Sequence, residues 1–297
     1  MLIDMNRLPL ESRIRILSMM VEGSSLRSIS RVCDVSINTV SKLLVDAGRA
    51  CAEFHDAKVR NVKAARIQAD EIWSFTYAKQ KNVQMAKAAP PGAGDTWTWT
   101  GIDADSKLIV SWLVGGRDSS FAMVFMDDLR SRLANRVQLT TDGHRAYLDA
   151  VESAFGGDVD YAQLVKLYGE SPEAEKRYSP AVCTGARKSR IEGNPDPKHV
   201  STSFAERQNL TMRMQMRRFT RLTNGFSKRF ENHCHALALY FVWYNFVKQH
   251  KSLGGLSPAM AAGLSDTLWS MTDLAGMIDA TLPKPGRRGP YRKQNSN

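Results

Sequence analysis

A chain of 297 residues, 43% hydrophobic and 24% charged, has the length for a large core and about two domains and the composition of an ordinary soluble globular protein. Its formal charge of +11 and pI near 9.6 point to a polyanionic partner, most simply nucleic acid, with a basic protein that lacks such a partner as the bland alternative. Cys33, Cys51, Cys183 and Cys234 lie far apart with no C-x-x-C pair, which argues against a zinc ribbon and for reduced thiols. The most apolar window, Ala236 to Val247, is too short to cross a bilayer, and Asp4, Arg7, Glu11 and Arg13 interrupt any apolar N-terminal stretch, so no membrane partner is expected.

Residues 8–47 read as three short helices. The first runs from about Pro9 to Val21, with Ile14, Leu17 and Val21 as its stripe and Gly23 as its stop. The second spans about Ser25 to Cys33, with Leu26, Ile29 and Val32 or Cys33 inward. The third follows Ser36 as N-cap, and Ile37, Val40 and Leu44 would pack inward. Asn38, Thr39, Ser41 and Lys42 then face out, the layout of a helix-turn-helix whose last helix enters the major groove. A small helical bundle that binds protein or nothing fits the same pattern. Residues 48–66 read as a helical linker with Lys58, Arg60, Lys63 and Arg66.

The pattern then turns to strands. Ile67 to Tyr77 is rich in aromatic and β-branched residues, and Trp97 to Asp103 with Leu108 to Val114 reads as a hairpin. A helix over Ser119 to Ala134, a strand over Val137 to Thr141, a helix over Tyr147 to Phe155 and a strand over Tyr161 to Leu167 complete an order that fits an α/β fold. The plan is a ribonuclease H-like mixed sheet flanked by helices, behind the N-terminal helix-turn-helix domain. Residues 168–203 show no periodicity. Two helices follow, Ser203 to about Phe219 and about Lys228 to Gln249, and the basic tail after Pro283 is expected to be disordered.

Three segments carry the chemistry: Asp70 in Gln68 to Phe75, Asp142 in Leu139 to His144, and Glu206 in Thr202 to Arg207. A divalent-metal nuclease needs hard oxygen ligands held together, and two metals can serve the attacking and the leaving oxygen of a phosphodiester. Asp70 sits among Ile67, Ala69, Ile72, Trp73 and Phe75, where a charge is costly unless it is paired or on metal. Asp142 ends a strand, where α/β sites gather. Glu206 opens a helix on which Arg213 and, further on, Arg217 share nearly its face, so a metal ligand could be followed by cations that track a DNA backbone. Each acid also has an ordinary explanation; for Glu206 it is stabilisation of the helix N-terminus. Glu71, next to Asp70 on a strand, is expected to point to the other face. His144 and His250 are possible auxiliaries to the acids, or a loop histidine and a helix cap. Trp73, Trp97 and Trp99 are most simply core, though one could stack on an unpaired base.

Asp70-Glu71-Ile72-Trp73-Ser74, Thr141 to Tyr147, Gly193 to His199, Phe204 to Met214, Tyr244 to His250 and Ser257 to Met260 together resemble bacterial DDE transposases of the insertion-sequence-one type, over roughly residues 5–270. The resemblance implies a catalytic triad of Asp70, Asp142 and Glu206 that holds Mg²⁺ or Mn²⁺, with Arg213 in the basic position seven after the glutamate. Arg207, Arg213 and Arg217 would join Asn38, Thr39, Ser41 and Lys42 as DNA contacts. It implies cutting at inverted-repeat ends and joining of the freed 3′-hydroxyls to target DNA, by a homo-oligomer that synapses two ends, in the bacterial cytoplasm at the nucleoid. Residues 1–60 would bind DNA, 61–255 would form the catalytic domain with 168–203 as a family insertion, and 256–297 a C-terminal extension. The family's founding member carries a cysteine zinc motif ahead of its helix-turn-helix, and the present sequence does not. A helix-turn-helix regulator with an inactive nuclease-like domain is the rival reading, and a nuclease without joining activity a second.

Overall fold

The computed structural model describes residues 7–169, 183–220 and 224–281. Three helices open it: α1 (Leu10–Val21), α2 (Leu26–Val32) and α3 (Ile37–Lys58). Serine caps set two of the starts. The Ser25 hydroxyl accepts the Ser28 N–H and the Ser36 hydroxyl that of Thr39, donors a helix N-terminus otherwise leaves unused. α3 runs on through the stretch expected as linker, because Ala47, Ala50 and Cys51 prolong the buried stripe of Val40, Leu43 and Leu44. Two residues expected to face inward do not: Val32 is 63% exposed and Ile37 41%. Cys33 turns in toward Met19 instead.

The sheet elements follow: β1 (Arg66–Thr76), a short α4 (Gln80–Val83), β2 (Gly94–Asp103), β3 (Ile109–Gly115), α5 (Ser119–Arg132), β4 (Gln138–Asp142), α6 (Ala146–Phe155), β5 (Asp160–Tyr168) and β6 (Cys183–Glu192). The strand order is β3-β2-β1-β4-β5-β6. β1, β4 and β5 run parallel, while β2 is antiparallel to β1 and β3, and β6 to β5. This is the mixed, helix-flanked ribonuclease H-like plan that the order of elements predicts. β6 is new: it lies in the stretch without periodicity and is exposed along most of its length, so no alternation marks it.

α5 and α6 cover one face, where the Tyr147 hydroxyl reaches Glu71 of β1. The other face takes α7 (Ser203–Gln215) and α8 (Phe230–Val242), which reach Asp70 and Ser74 through Asn209 and His233. α7 stops short of its expected end; a single 3₁₀ turn, Arg217–Phe219, follows. α8 passes into a π turn, Trp243–Val247, whose buried Asn245 accepts the Ile109 N–H and donates to the Ile109 carbonyl, both at 2.9 Å. That closes two backbone groups on the edge strand β3. Two last helices are α9 (Pro258–Ala261) and α10 (Met271–Thr281), the latter resting on α1 and α3.

The N-terminal helices are built into this body. α3 lies along α8, and His55 Nε2 meets the same Ile109 carbonyl at 3.2 Å. A Cβ on Gly48 would fall 2.3 Å from His235 Cβ, so glycine, costly inside a helix, is what lets the two helices cross. Among the described residues no helix is long and apolar enough to cross a membrane. The tail after Pro283 and residues 170–182 of the expected insertion lie outside the described residues.

Candidate active site

Register brings two of the expected acids together. Ala69 of β1 is level with Thr141 of β4, so Asp70 and Asp142 stand side by side one residue further on. β4 ends there. Asp142 Oδ1 accepts the His144 N–H at 2.9 Å, an Asx turn that breaks the strand. Gly143 is needed for close approach: a Cβ would lie 2.8 Å from Val165 Cγ2. The third acid arrives through a cap. Gln68 Oε1, on β1, accepts the Phe204 and Ala205 N–H groups at 2.8 and 3.2 Å. This seats the N-terminus of α7 on the sheet and hangs Glu206, then Asn209 one turn later, over Asp70.

The result is a cleft of about 490 Å³ lined by Asp70, Glu71, Asp142, Gly143, Leu164, Lys166, Thr202, Glu206, Asn209 and Arg213. Its tightest group is not the expected one. Carboxylate oxygens of Asp70, Glu71 and Asp142 all lie within 4.8 Å of one another. Glu71 does turn toward the α5–α6 face, where Arg117 Nε donates to Oε1 at 2.7 Å and the Tyr147 hydroxyl to Oε2 at 2.8 Å. It still reaches the acids because β1 continues past the end of β4, and the notch this leaves is open to both faces. Arg117 also stacks its guanidinium 4.6 Å from the Trp97 ring centroid. Glu206 lines the cleft but directs its carboxylate to Lys166 Nζ and the Thr202 hydroxyl.

Crowding shows in the electrostatics. Burial pushes the Asp70 carboxyl up to about 7, and the charges of Glu71 and Asp142 push the same way. Burial, followed by the charges of Glu71 and Asp70, also raises the Tyr147 phenol well above its usual range. Asn209 Nδ2 donates to Asp70 Oδ2 at 2.8 Å. Its Oδ1 is buried and without a hydrogen-bond partner. Clustered hard oxygens whose negative charge Arg117 offsets only in part, and an unmatched amide oxygen beside them, fit a divalent cation such as Mg²⁺. Asp70, Glu71 and Asp142 are the residues placed to hold it, with Glu206 across the cleft.

The other expected residues fall into separate places. Arg213 lines the cleft with Glu206, whereas Arg207 and Arg217 are exposed and are not among its lining residues. His144 braces the acids: its ring sits against Trp99 and Tyr147, and its Nε2 meets the Arg117 carbonyl at 3.3 Å. His250 is not among the cleft residues; it stands edge-on to Tyr244, 4.8 Å between centroids, and burial with the charges of Lys248 and Lys107 lowers it to about 4. Asn38, Thr39, Ser41 and Lys42 occupy the first turns of α3, with Asn38 and Lys42 exposed and Lys42 Nζ 2.6 Å from Asp46. Sequence reasoning missed Asn209, Arg117 and Lys166. Asn209 had a signal, since three residues after Glu206 on a helix is the same face. Arg117 and Lys166 had none.

No family model matches the sequence, and no curated protein does. Among solved structures the chain is similar to a piggyBac transposase in a synaptic complex with hairpin DNA, at 10% identity over 94% of this chain and 72% of that one, with a TM-score of 0.37. It is also similar to Mos1 transposase in a paired-end complex with the left transposon end, at 11% identity over 50% of this chain and 58% of that one, TM-score 0.20. A Mos1 mariner paired-end complex with Mn gives 12% identity, 50% and 57% coverage and a TM-score of 0.20.

Proposed function

We propose that this chain is a DNA transposase of the DDE type, resembling the insertion-sequence-one family, that cuts DNA at element ends and joins the 3′-ends to target DNA. The observation that carries the reading is the meeting of Asp70, Asp142 and Glu206, acids 72 and 64 residues apart in sequence, at one cleft of a ribonuclease H-like sheet. A net charge of +11 supports a polyanionic substrate. A divalent cation held there would activate an attacking water or DNA 3′-hydroxyl and offset charge on the phosphate, so no serine or tyrosine nucleophile is required.

The chain's own groups have distinct tasks in this reading. Asp70 and Asp142 present oxygens from neighbouring strand ends, and Glu206 presents one from α7. Asn209 fixes the rotation of Asp70. Arg117 and Tyr147 hold Glu71 at the rim of the notch. Lys166 restrains Glu206, and Arg213 stands beside it facing the DNA backbone. The exposed start of α3, with Asn38, Thr39, Ser41 and Lys42, is the proposed reader of element ends, and residues 1–60 the proposed end-binding unit. Synapsis of two ends calls for a homo-oligomer.

Supercoiled plasmid incubated with the protein and Mg²⁺ or Mn²⁺ tests the cleavage. Nicking is expected from the native chain and none above background from Asp142→Ala or Asp70→Ala. Intact plasmid with the native chain would favour the regulator with an inactive nuclease-like domain. A labelled donor end then separates transposase from nuclease: joined product is expected, and cutting without joining would reject the transfer step.

A further inference from the structure

β6 lies in the stretch between Asp142 and Glu206 and carries three cations, Arg187, Lys188 and Arg190. Strand pairing sets Asp142 opposite Leu164 and Leu164 opposite Lys188. Side chains of directly paired residues share a face of the sheet. Leu164 lines the cleft, so Lys188 rises on the cleft side. It stands two strands from Asp142, about 10 Å at the usual strand spacing. Asp70, level with Asp142, extends the same row to β1. Arg190, opposite Ala162, points to the same face two residues along.

Both cations are exposed. Lys188 Nζ donates to the Pro197 carbonyl at 2.5 Å and Arg190 Nη1 to Asn194 Oδ1 at 3.4 Å, and neither acceptor carries a charge. Arg190 bears on Asp160, which is itself ion-paired to Arg136 at 2.8 Å. Charges on an outer strand often serve to discourage edge-to-edge pairing. Arg187, on the opposite face across from Val165, is explained that way. Lys188 differs, because the register puts it in the row of the acids.

We propose that β6 is a phosphate rail of the cleft: Lys188 and Arg190 hold the sugar–phosphate backbone of a DNA duplex whose scissile phosphate lies over Asp70 and Asp142. The inference rests on the functional reading above and assigns the far wall of the site. A lysine and an arginine on a rigid strand contact phosphates without reading bases, so the rail fixes the register of the substrate and not its sequence.

The test is binding of a fluorescein-labelled duplex by anisotropy in EDTA, from about 50 to about 200 mM salt. The double variant Lys188→Gln/Arg190→Gln is compared with Lys81→Gln/Lys87→Gln, which removes the same charge from exposed positions on α4 and the turn after it. Loss of two phosphate contacts should flatten the slope of log affinity against log salt by about 1.8 in the β6 variant. The control pair should leave the slope unchanged, and thermal melting should confirm that both variants fold. An unchanged slope in the β6 variant, or an equal loss in both pairs, overturns the rail while Mg²⁺-dependent plasmid nicking by the native chain keeps the functional reading. A native chain that neither binds duplex nor nicks plasmid rejects both.

Discussion

Asn209 donates its side-chain N–H to Asp70 Oδ2 at 2.8 Å from one helical turn beyond Glu206. The bond spans the cleft between α7 and β1, so the position of the helix sets the rotation of the most buried acid. Partners of this kind, one step behind a metal ligand, typically carry a 10- to 100-fold effect when removed. Asn209→Ala should lower Mn²⁺ affinity and plasmid nicking by about that range. Isothermal titration with Mn²⁺ alone reads the affinity without relying on turnover.

The Asp70 carboxyl, raised to about 7 in the fold, gives the metal-free protein a specific pH response. A carboxyl raised above its unfolded value of 3.8 binds more protons when folded between those two pH values. Its contribution to stability is therefore full below about 4 and is lost as pH rises through about 7. Added Mg²⁺ should stabilise more at pH ~8 than at pH ~5, since ligands must be deprotonated to bind. Asp142→Asn, which removes one of the charges that raise Asp70, should stabilise the metal-free protein at pH ~8 while abolishing nicking. Urea titrations with and without Mg²⁺ decide both points. A Mg²⁺ gain that is equal at the two pH values would remove the link to Asp70.

Glu71 is the buried half of an ion pair, its side chain 1% exposed against 40% for Arg117. Truncation to alanine would leave the Tyr147 hydroxyl and the Arg117 guanidinium without their acceptor. A loss of about 2 to 4 kcal/mol is expected, allowing for the exposure of Arg117. Glu71→Gln keeps both acceptor geometry and volume and should cost about half as much or less. Chemical denaturation in EDTA measures this apart from catalysis.

How much of this was legible depends on where each residue draws its constraint. β1, the β2–β3 hairpin, β4 and β5 advertise themselves through aromatic and β-branched runs, because both faces of the sheet are buried there. Asp70 stood out for the same reason, as a charge in an apolar strand. β6 left no pattern, since neither face is covered along most of its length. Glu71 was read correctly as facing away from Asp70, but alternation along one strand says nothing about where the neighbouring strand stops. Lys166 reaches the cleft through strand register and Arg117 reaches Glu71 from the loop after β3, contacts between distant segments which a sequence does not print. His250 drew notice for its place after an aromatic helix, yet the π turn carries it toward Lys107 and Tyr244 instead.

Gly48 tests the packing of α3 on the body. Helix propensity alone predicts that Gly48→Ala stabilises by about 1 kcal/mol. The added Cβ would instead meet His235 Cβ at 2.3 Å and His235 Cα at 2.5 Å, and backbone cannot rotate away. Overpacking of this kind costs about 1 to 3 kcal/mol, which outweighs the propensity gain. A lowered melting temperature is expected, and a raised one would mean that α3 and α8 are not in contact.

Two buried histidines set the acid limit of the fold. His233 lies between the Ser74 and Ser227 hydroxyls at 3.3 and 3.1 Å, and burial followed by the charge of Arg218 lowers it to about 3. His55 is lowered to about 4, by burial and then by Arg132. Both are depressed below the unfolded value of 6.5, so the unfolded chain binds more protons as pH falls below that value. Stability is fully present above it and is lost on acidification. Each histidine contributes about 1.4 kcal/mol per pH unit between about 6 and 4. Asp70 acts in the opposite direction over the same interval, but the lowered histidines, His250 among them, outnumber that one carboxyl and leave a net loss on acidification. His233→Asn should cost about 1 to 3 kcal/mol at neutral pH through imperfect hydrogen bonding to the two serines. It should also reduce the fall in stability between pH ~6 and pH ~4 by about 1.4 kcal/mol per unit. Urea midpoints at the three pH values measure the difference, and a parallel fall in variant and native protein would show that His233 titrates normally in the fold.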